Sequence, residues 1–436
     1  MSVGGCTCEM GKNGGECRGS VPVVDVGALM RSELSNPRAN FDGHNDGFGE
    51  DVTAIITAVD GFCRTGSGGL ILVNHGFENE LNAAMDAARA FHAAPMDIKM
   101  AHAAHGTYDP VGQVKVAVRP ASLHERMSYP RVVYTEDSIG GVTASDIATV
   151  ECNDGTDRSP PTPIDSTSPH LFTVEGVDAP MRAFQRCIMR LSLALLRATA
   201  IALGLPPTYF DFGWARSNSA INAIYYVPLL SPDGAPTSDG YFGQRQPAGE
   251  TAAAAAFPEA TEAIGDLGAR MRVYPHADDG AWFTLLVHDR VEGLQVLEER
   301  GGTNWIDVER VSGHQIVLQV GQLMQRFSND AYHCTPHRVL LPSFPVPART
   351  TLTFFYRPHL DMALEVPPLL RQRPNDAGGV YETITVRKFI TLGRVDSNGS
   401  PLKLTSDILK DGSWIHRDLP KLSSQSSFSP SSSPLP

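Results

Sequence analysis

The chain has 436 residues, of which 42% are hydrophobic and 19% are charged, and its formal net charge is −12 at pH 7. This is the composition of a globular protein that is long enough to bury a large core. The acidic balance, without a basic stripe, argues against nucleic acid as a partner. No apolar run reaches the roughly 18 residues of a transmembrane helix, so we expect no membrane partner either.

The N-terminal stretch and the cysteines indicate a reducing compartment. Residues 1–20 are rich in glycine and lack the apolar core of a signal peptide, so we expect a disordered tail on a cytoplasmic protein. The seven cysteines are odd in number and sparsely spaced, which favours free thiols. Cys6, Cys8 and Cys17 have no fourth cysteine or histidine nearby, so a zinc site there is the weaker interpretation.

Residues 21–135 form an N-terminal region in which strand-like and helix-like patterns alternate. The run Val21–Leu29 predicts a strand, and Gly68–Phe77 predicts a buried strand opened by glycines. Apolar residues at helical spacing predict a helix over residues 51–63. A second, alanine-rich helix is predicted over Glu80–Pro95.

Composition divides the rest of the chain. Residues 136–170 are rich in Ser, Thr, Asp, Gly and Pro and predict a loop, and residues 179–206 predict a long helix with a glycine and proline stop. A domain over residues 171–395 contains an insertion near 231–270, marked by Gly, Pro and an alanine run. Residues 396–436 are a C-terminal extension that ends in a Ser/Pro-rich tail.

Short β-rich runs alternate with turns between residues 271 and 357. They read "WFTLLVHD", "GLQVLE", "HQIVLQVG" and "RTTLTFFY". Regular spacing of this kind is typical of a sandwich or barrel. We therefore predict a mainly β fold with flanking helices, of the α+β class.

A candidate metal site begins with the segment "YPHADDGAWFTLL". On a strand, His276 and Asp278 point to the same face, because side chains alternate with a period of two. A histidine from a distant strand, such as His337, would complete a set of two imidazoles and one carboxylate, which suits non-haem Fe(II). By itself His-x-Asp is a weak signal, and a structural or surface role is the commoner one.

Arg349 and Thr351 are also two residues apart on a predicted strand. A buried guanidinium needs an anion, its planar fork matches a carboxylate, and a hydroxyl two residues on could donate to the same group. The alternative is an exposed arginine at a strand end, which is the commoner case.

The stretch "SNDAYHCTPHRVLLP" contains His333, Cys334 and His337. Pro336 argues against one helix that would present both histidines on a shared face. A Cys334–His337 nucleophile pair is disfavoured, because residues three apart on a strand face opposite sides and no oxyanion-hole motif is evident.

The ordered set of motifs resembles one family. Its elements are "LILVNHGF", "IYYVP", the His-x-Asp segment, "GLQVL", the His-Arg-Val segment and "RTTLTFFYRP". From about Val21 to Leu392 the chain is similar to the 2-oxoglutarate- and Fe(II)-dependent dioxygenases of the isopenicillin N synthase-like group. The resemblance implies a double-stranded β-helix (jelly-roll) core with helices on one side.

The resemblance also implies the residues of the site. The metal ligands would be His276, Asp278 and His337. The 2-oxoglutarate carboxylate would be held by Arg349, Thr351 and Tyr226, and Phe355 would lie against the substrate. His333 is expected near the surface or the pocket rim, Cys334 is a bystander, and Arg338 is expected in a structural ion pair.

The chain departs from the family pattern at four places. Thr351 replaces the usual serine, Ile224 replaces an asparagine, and the span from Tyr226 to His276 is long. The fourth departure is a shift of one residue in the metal motif, which makes Asp279 a minority candidate for the carboxylate ligand. We therefore expect one extra residue between Asp279 and Trp282, in the form of a bulge.

The implied activity is oxidation of a small organic molecule with Fe(II), 2-oxoglutarate and O2, with ascorbate as a supporting reductant and with release of succinate and CO2. The outcome could be hydroxylation, desaturation or cyclisation. One alternative is an iron oxidase of the same fold that does not use 2-oxoglutarate, and another is a non-catalytic binding protein on the same barrel. We expect a monomer.

Overall fold

The fold was analysed in a computed structural model of the chain. The structure describes residues 20–39, 41, 48–66, 68–103, 107–110, 124–130, 132–133, 164–165, 172–215, 217–228, 271–289, 291–299, 302–342, 345–371 and 380–392. The expected N-terminal tail, most of the 136–170 loop, the 231–270 insertion and the 396–436 extension lie outside these residues.

Helices occur where apolar residues recur at a period of 3.6. Their bounds are α1 Gly27–Arg31, α2 Glu50–Thr65, α3 Glu78–Ala93, α4 Met96–Ala103, α5 Asp178–Ala202, α6 Asp211–Ala215, α7 Gln322–Phe327, α8 Pro368–Arg371 and α9 Val386–Leu392. Helix α2 ends at Gly66, whose φ of 59° is the left-handed conformation that glycine adopts without strain.

The strands are short, and those of the main sheet come from both halves of the chain. Their bounds are β1 Val23–Asp25, β2 Leu70–Val73, β3 Tyr108–Asp109, β4 His124–Pro130, β5 Val132–Val133, β6 Ile164–Asp165, β7 Ala220–Tyr226, β8 Met271–His276, β9 Phe283–His288, β10 Leu294–Leu297, β11 Trp305–Asp307, β12 Ile316–Val320, β13 His337–Leu340, β14 Arg349–Tyr356, β15 Ala363–Leu364 and β16 Ile384–Thr385.

Two sheets contain most of these strands. The main sheet has eight strands in the order β1-β2-β12-β9-β14-β7-β4-β3, and the minor sheet has four in the order β11-β10-β13-β8. All their pairings are antiparallel except that of β1 with β2. The two further pairs, β15 with β16 and β5 with β6, lie outside both sheets.

The main sheet is buried on both faces. On one face, Leu352, Phe354 and Tyr356 of β14 join the large core with α3 and α5. On the other, Ile224 and Leu286 pack with residues of the minor sheet. The two sheets therefore face each other, and the space between them receives alternate side chains of β7, β9 and β14. We call this the inner face.

The structure corrects one predicted element. We predicted a strand over Val21–Leu29, but the strand covers only Val23–Asp25, and α1 starts at Gly27. The turn between them is fixed by the Asp25 carboxylate, which accepts a hydrogen bond from the Gly27 N–H at 2.8 Å. Of the helices in the described part of the chain, none has both the length and the apolar character needed to span a bilayer.

Candidate metal centre

Three predicted ligands come together at one end of the minor sheet. His276, the last residue of β8, is paired in register with His337, the first residue of β13, and their ring centroids are 4.2 Å apart. Asp278 follows two residues later, with Oδ1 3.8 Å from His276 Nε2. One potential ligand atom from each residue lies within 4.8 Å of the others, so the group could hold a metal ion.

Asp278 is positioned by two neighbouring elements. Its Oδ2 accepts a hydrogen bond of 2.5 Å from the Thr284 hydroxyl on β9, and its backbone carbonyl accepts one of 2.8 Å from the Gln322 N–H at the start of α7. Burial opposes ionisation of this carboxyl, but the two imidazoles and the Thr284 hydroxyl outweigh it and lower its pKa. Asp278 is therefore a carboxylate with one oxygen turned toward the histidines.

His337 is oriented by a backbone contact. Its Nδ1 lies 3.0 Å from the carbonyl oxygen of Thr335, so Nδ1–H donates and the Nε2 lone pair is left for a metal. Thr335 is itself fixed by Val320 of β12, because its N–H donates to the Val320 carbonyl at 2.9 Å and its Oγ1 accepts from the Val320 N–H at 3.1 Å. The main sheet thus sets the tautomer of a ligand on the minor sheet.

Strand β8 differs from the expectation. We placed His276 and Asp278 on one strand, but the strand ends at His276 and Asp278 lies in the following loop. The bulge that we expected between Asp279 and Trp282 is absent, because residues 277–282 pair with no strand. The irregular register lies upstream, where the two residues between Val273 and His276 oppose one residue of β13, Arg338. Asp279 is not a member of the three-residue cluster.

A polar strip leads away from the cluster along β14. Arg349, Thr351 and Phe355 alternate on the inner face of this strand. Tyr226 of β7 lies directly opposite Arg349, and Thr284 of β9 lies opposite Phe355. The metal end of the strip is therefore beside Phe355, and the arginine is at the far end.

Arg349 is a buried cation with part of its hydrogen-bonding capacity unused. Its side chain is 1% exposed, and Nη1 donates to the carbonyls of Val291 and Glu292 at 3.1 and 3.0 Å. Its Nε is buried and has no hydrogen-bond partner in the part of the chain that the structure describes. Burial lowers the pKa of this guanidinium, while Tyr226 and Asp289 raise it. A buried, incompletely bonded guanidinium is a receptor for an anion.

His288 of β9 lies opposite Thr351 on the inner face. Its Nδ1 is 2.8 Å from the Asp289 carbonyl and so donates, whereas Nε2 is a buried acceptor without a partner. Burial, reinforced by the charge of Arg349, lowers the pKa of His288 to about 4, so this imidazole is neutral at pH 7.

The other residues of "SNDAYHCTPHRV" have structural positions. The His333 N–H donates to the Cys63 carbonyl at 2.8 Å, which places His333, half-buried, at the end of α2. Cys334 is buried, and its N–H donates to Gln325. Among the described residues, Arg338 makes structural contacts but has no acidic side chain in the direct ion pair that we expected. Its Nε donates to Gln295 at 2.8 Å, and its guanidinium lies 4.4 Å from the Trp305 ring centroid.

Sequence reasoning missed several residues around this site. Thr284 and Thr335 orient the metal cluster, and His288 and Arg272 lie in the strip near Arg349. The one usable signal was proximity in the chain, since Thr284 lies six residues after Asp278 and Arg272 four before His276.

Comparison with known proteins agrees with this geometry. Residues 258–358, which include all three candidate ligands, match the model of the 2OG-Fe(II) oxygenase superfamily. This part of the chain is therefore similar to members of that superfamily. The chain is 26% identical over 200 residues to a 2-oxoglutarate-dependent dioxygenase of Aspergillus rugulosus, covering 44% of this chain and 50% of that one.

A second similar protein is a 2-oxoglutarate-Fe(II) type oxidoreductase of Metarhizium rileyi. It is 31% identical over 196 residues, covering 44% of this chain and 42% of the relative. The chain thus spans about half the length of the curated relatives it matches.

Solved structures of the superfamily share the fold. The full-length T7H of Neurospora crassa, crystallised with alpha-KG, aligns with a TM-score of 0.55 and 19% identity over 85% of this chain and 95% of that one. A putative 2OG-Fe(II) oxygenase family protein of Caulobacter crescentus gives a TM-score of 0.55 and 19% identity, with 86% and 98% coverage. The sheet-rich architecture with flanking helices is therefore confirmed as that of these oxygenases.

Proposed function

We propose that the chain is an Fe(II)- and 2-oxoglutarate-dependent oxygenase that oxidises a small organic molecule, on a double-stranded β-helix core. The observation that supports this most directly is the pairing of one metal-competent cluster, His276, Asp278 and His337, with a buried anion receptor on the same inner face. The donor set suits Fe(II), because two imidazoles and one carboxylate leave coordination positions open.

The residues along the inner face have two proposed roles, metal binding and 2-oxoglutarate binding. His276, Asp278 and His337 would hold the iron, with Thr284 and Thr335 keeping two of these ligands in position. Arg349, Thr351 and Tyr226 would bind the distal carboxylate of 2-oxoglutarate. When bound, iron and 2-oxoglutarate supply the oxidising chemistry, in which O2 is consumed and succinate and CO2 are released.

Phe355 is proposed to contact the substrate. It is half-buried on the inner face, opposite Thr284, and the Arg357 guanidinium lies 5.0 Å from its ring centroid. An aromatic ring beside the metal cluster can exclude water from the reacting C–H bond and orient an apolar part of the substrate.

The test is anaerobic addition of Fe(II) and 2-oxoglutarate to the apo protein. We expect a visible charge-transfer band from chelated Fe(II) in the wild type and in Asp279→Ala, but not in Asp278→Ala. No band in the wild type would reject the proposed function. A band that survives Asp278→Ala and is lost in Asp279→Ala would reject the ligand assignment. Succinate release on admission of O2 then tests turnover.

A further inference from the structure

The inner face contains a second buried arginine beside Arg349. Arg272 of β8 is 8% exposed, and its guanidinium lies 5.4 Å from the ring centroid of Tyr226, the residue directly opposite Arg349. Its Nη2 donates at 2.7 Å to the carbonyl of Pro347, two residues before Arg349. Arg272 is thus fixed against Tyr226 of β7 and against the segment that leads into β14.

Arg272 also has an unused donor. Its Nη1 is buried and has no hydrogen-bond partner among the described residues, and the same is true of Nε of Arg349. Neither guanidinium forms an ion pair with an acidic side chain of the described residues. Leaving such donors dry and unpaired costs free energy, which an anionic ligand between them would recover.

The charge balance of this region favours the same ligand. Asp289 is the acidic group that favours the charged form of both arginines, and its carboxylate already accepts hydrogen bonds from the N–H groups of Val291 and Thr350. Burial, followed by the like charge of Arg349, lowers the pKa of Arg272 to about 10, so this guanidinium stays charged at pH 7. Among the described residues, the guanidiniums of Arg272 and Arg349 share the one carboxylate of Asp289, which favours an anionic ligand.

We propose that Arg272 is a second arginine that binds the distal carboxylate of 2-oxoglutarate and strengthens its binding. This inference rests on the proposed function, and the structure places Arg272 on the same strand, β8, as His276. Arg349 binds the carboxylate from the main sheet, and Arg272 binds it from the minor sheet. The carboxylate, with two oxygens, can accept from both donors.

The experiment compares two ligands by anaerobic titration of the Fe(II) charge-transfer band. One is 2-oxoglutarate, and the other is 2-oxovalerate, in which a methyl group replaces the distal carboxylate. In Arg272→Met, the Kd for 2-oxoglutarate is expected to rise roughly 10- to 100-fold, as for loss of one charge-assisted hydrogen bond. The Kd for 2-oxovalerate is expected to stay within about twofold of wild type, because that ligand never used the donor.

Two further variants separate binding from structure. Arg338→Met is the matched control, since Arg338 also stacks on an aromatic ring and donates to an oxygen acceptor, but away from the inner face; it should leave both Kd values unchanged. Arg272→Lys keeps the charge and should lose less affinity for 2-oxoglutarate than Arg272→Met does. It also provides the measurement if the methionine variant does not fold.

The outcomes are distinguishable. If wild type gives the band and Arg272→Met binds 2-oxoglutarate with unchanged affinity, the role of Arg272 is overturned but the proposed function is not. Equal losses for 2-oxoglutarate and 2-oxovalerate also overturn it, because they indicate that Arg272 only supports the fold around Tyr226. No band with wild type overturns this inference together with the proposed function.

Discussion

At the scale of single residues, the candidate metal centre depends on groups that do not touch the metal. The Thr284 hydroxyl is the side-chain donor to Asp278, and the Thr335 carbonyl is the acceptor for His337. Such partners fix the orientation and charge of a ligand, and their loss typically costs 10- to 100-fold in metal affinity.

The first prediction concerns Thr284→Val. Valine keeps the shape of the buried side chain but removes the donor to Asp278, so we expect Fe(II) affinity to fall roughly 10- to 100-fold while the protein stays folded. Thr353→Val on the adjacent strand β14 is the matched control, because Thr353 is a buried inner-face threonine outside the cluster. Equal Fe(II) affinities of the two variants in an anaerobic competition titration would contradict the role of Thr284.

The residues of the site were predictable to different degrees. The candidate ligands and Arg349 stand in a recognisable order in the chain, so the family resemblance could propose them, and the structure brings the three candidate ligands together. Thr284, Thr335 and Arg272 were not recognised, because their roles depend on which strands become neighbours. The end of β8 was also hidden, because the strand stops at His276 and the alternation on which the His-x-Asp argument was built does not extend to Asp278.

At the scale of elements, one buried carboxylate joins two helices and two strands. Glu125 of β4 is fully buried, and it accepts hydrogen bonds from His92 of α3 at 2.7 Å and from Lys99 of α4 at 3.0 Å. The Tyr108 hydroxyl of β3 donates to the same carboxylate. The sequence did not reveal that these three donors pair with Glu125. By contrast, apolar spacing predicted the helices α2, α3 and α5 to within a few residues.

The second prediction is that Glu125→Gln destabilises the fold. The amide cannot neutralise Lys99, which is 3% exposed, so a buried cation loses its counter-charge. We expect the free energy of unfolding to fall by about 3–5 kcal/mol at pH 7, measured by denaturant titration. Glu309→Gln, at an exposed glutamate, is the control and should change stability by less than about 0.5 kcal/mol. Similar stabilities of the two variants would show that the buried cluster contributes little.

The third prediction gives the pH dependence of this cluster. Burial opposes ionisation of Glu125, but the hydrogen bonds and charges of its partners outweigh it and lower the pKa to about 2, from 4.5 in the unfolded chain. The stabilisation is therefore complete above pH 4.5 and is lost as the pH falls toward 2. Acid unfolding should be less steep over this interval in Glu125→Gln than in wild type, and identical slopes would contradict the assignment.

At the scale of the whole molecule, the candidate metal centre connects the two sheets. His276 and His337 belong to the minor sheet, whereas Asp278 is held by Thr284 of the main sheet. Elsewhere the sheets are joined mainly by the apolar core between them, which includes Ile224, Leu286 and Val339. A metal bound by all three ligands would add a polar cross-link at one end of this core.

The last prediction is that Fe(II), added without oxygen, raises the melting temperature. A ligand that binds only the folded state stabilises it by about 2.7 kcal/mol at 100 times its Kd. We expect a rise of a few degrees in wild type and none in His337→Ala. Glu125→Gln should melt at a lower temperature yet keep the same Fe(II)-induced gain, because the two clusters share no hydrogen-bond partner and their effects should add. The melting temperatures are measured by differential scanning calorimetry. If Fe(II) raises the melting temperature of His337→Ala as much as that of wild type, the iron binds outside the candidate centre.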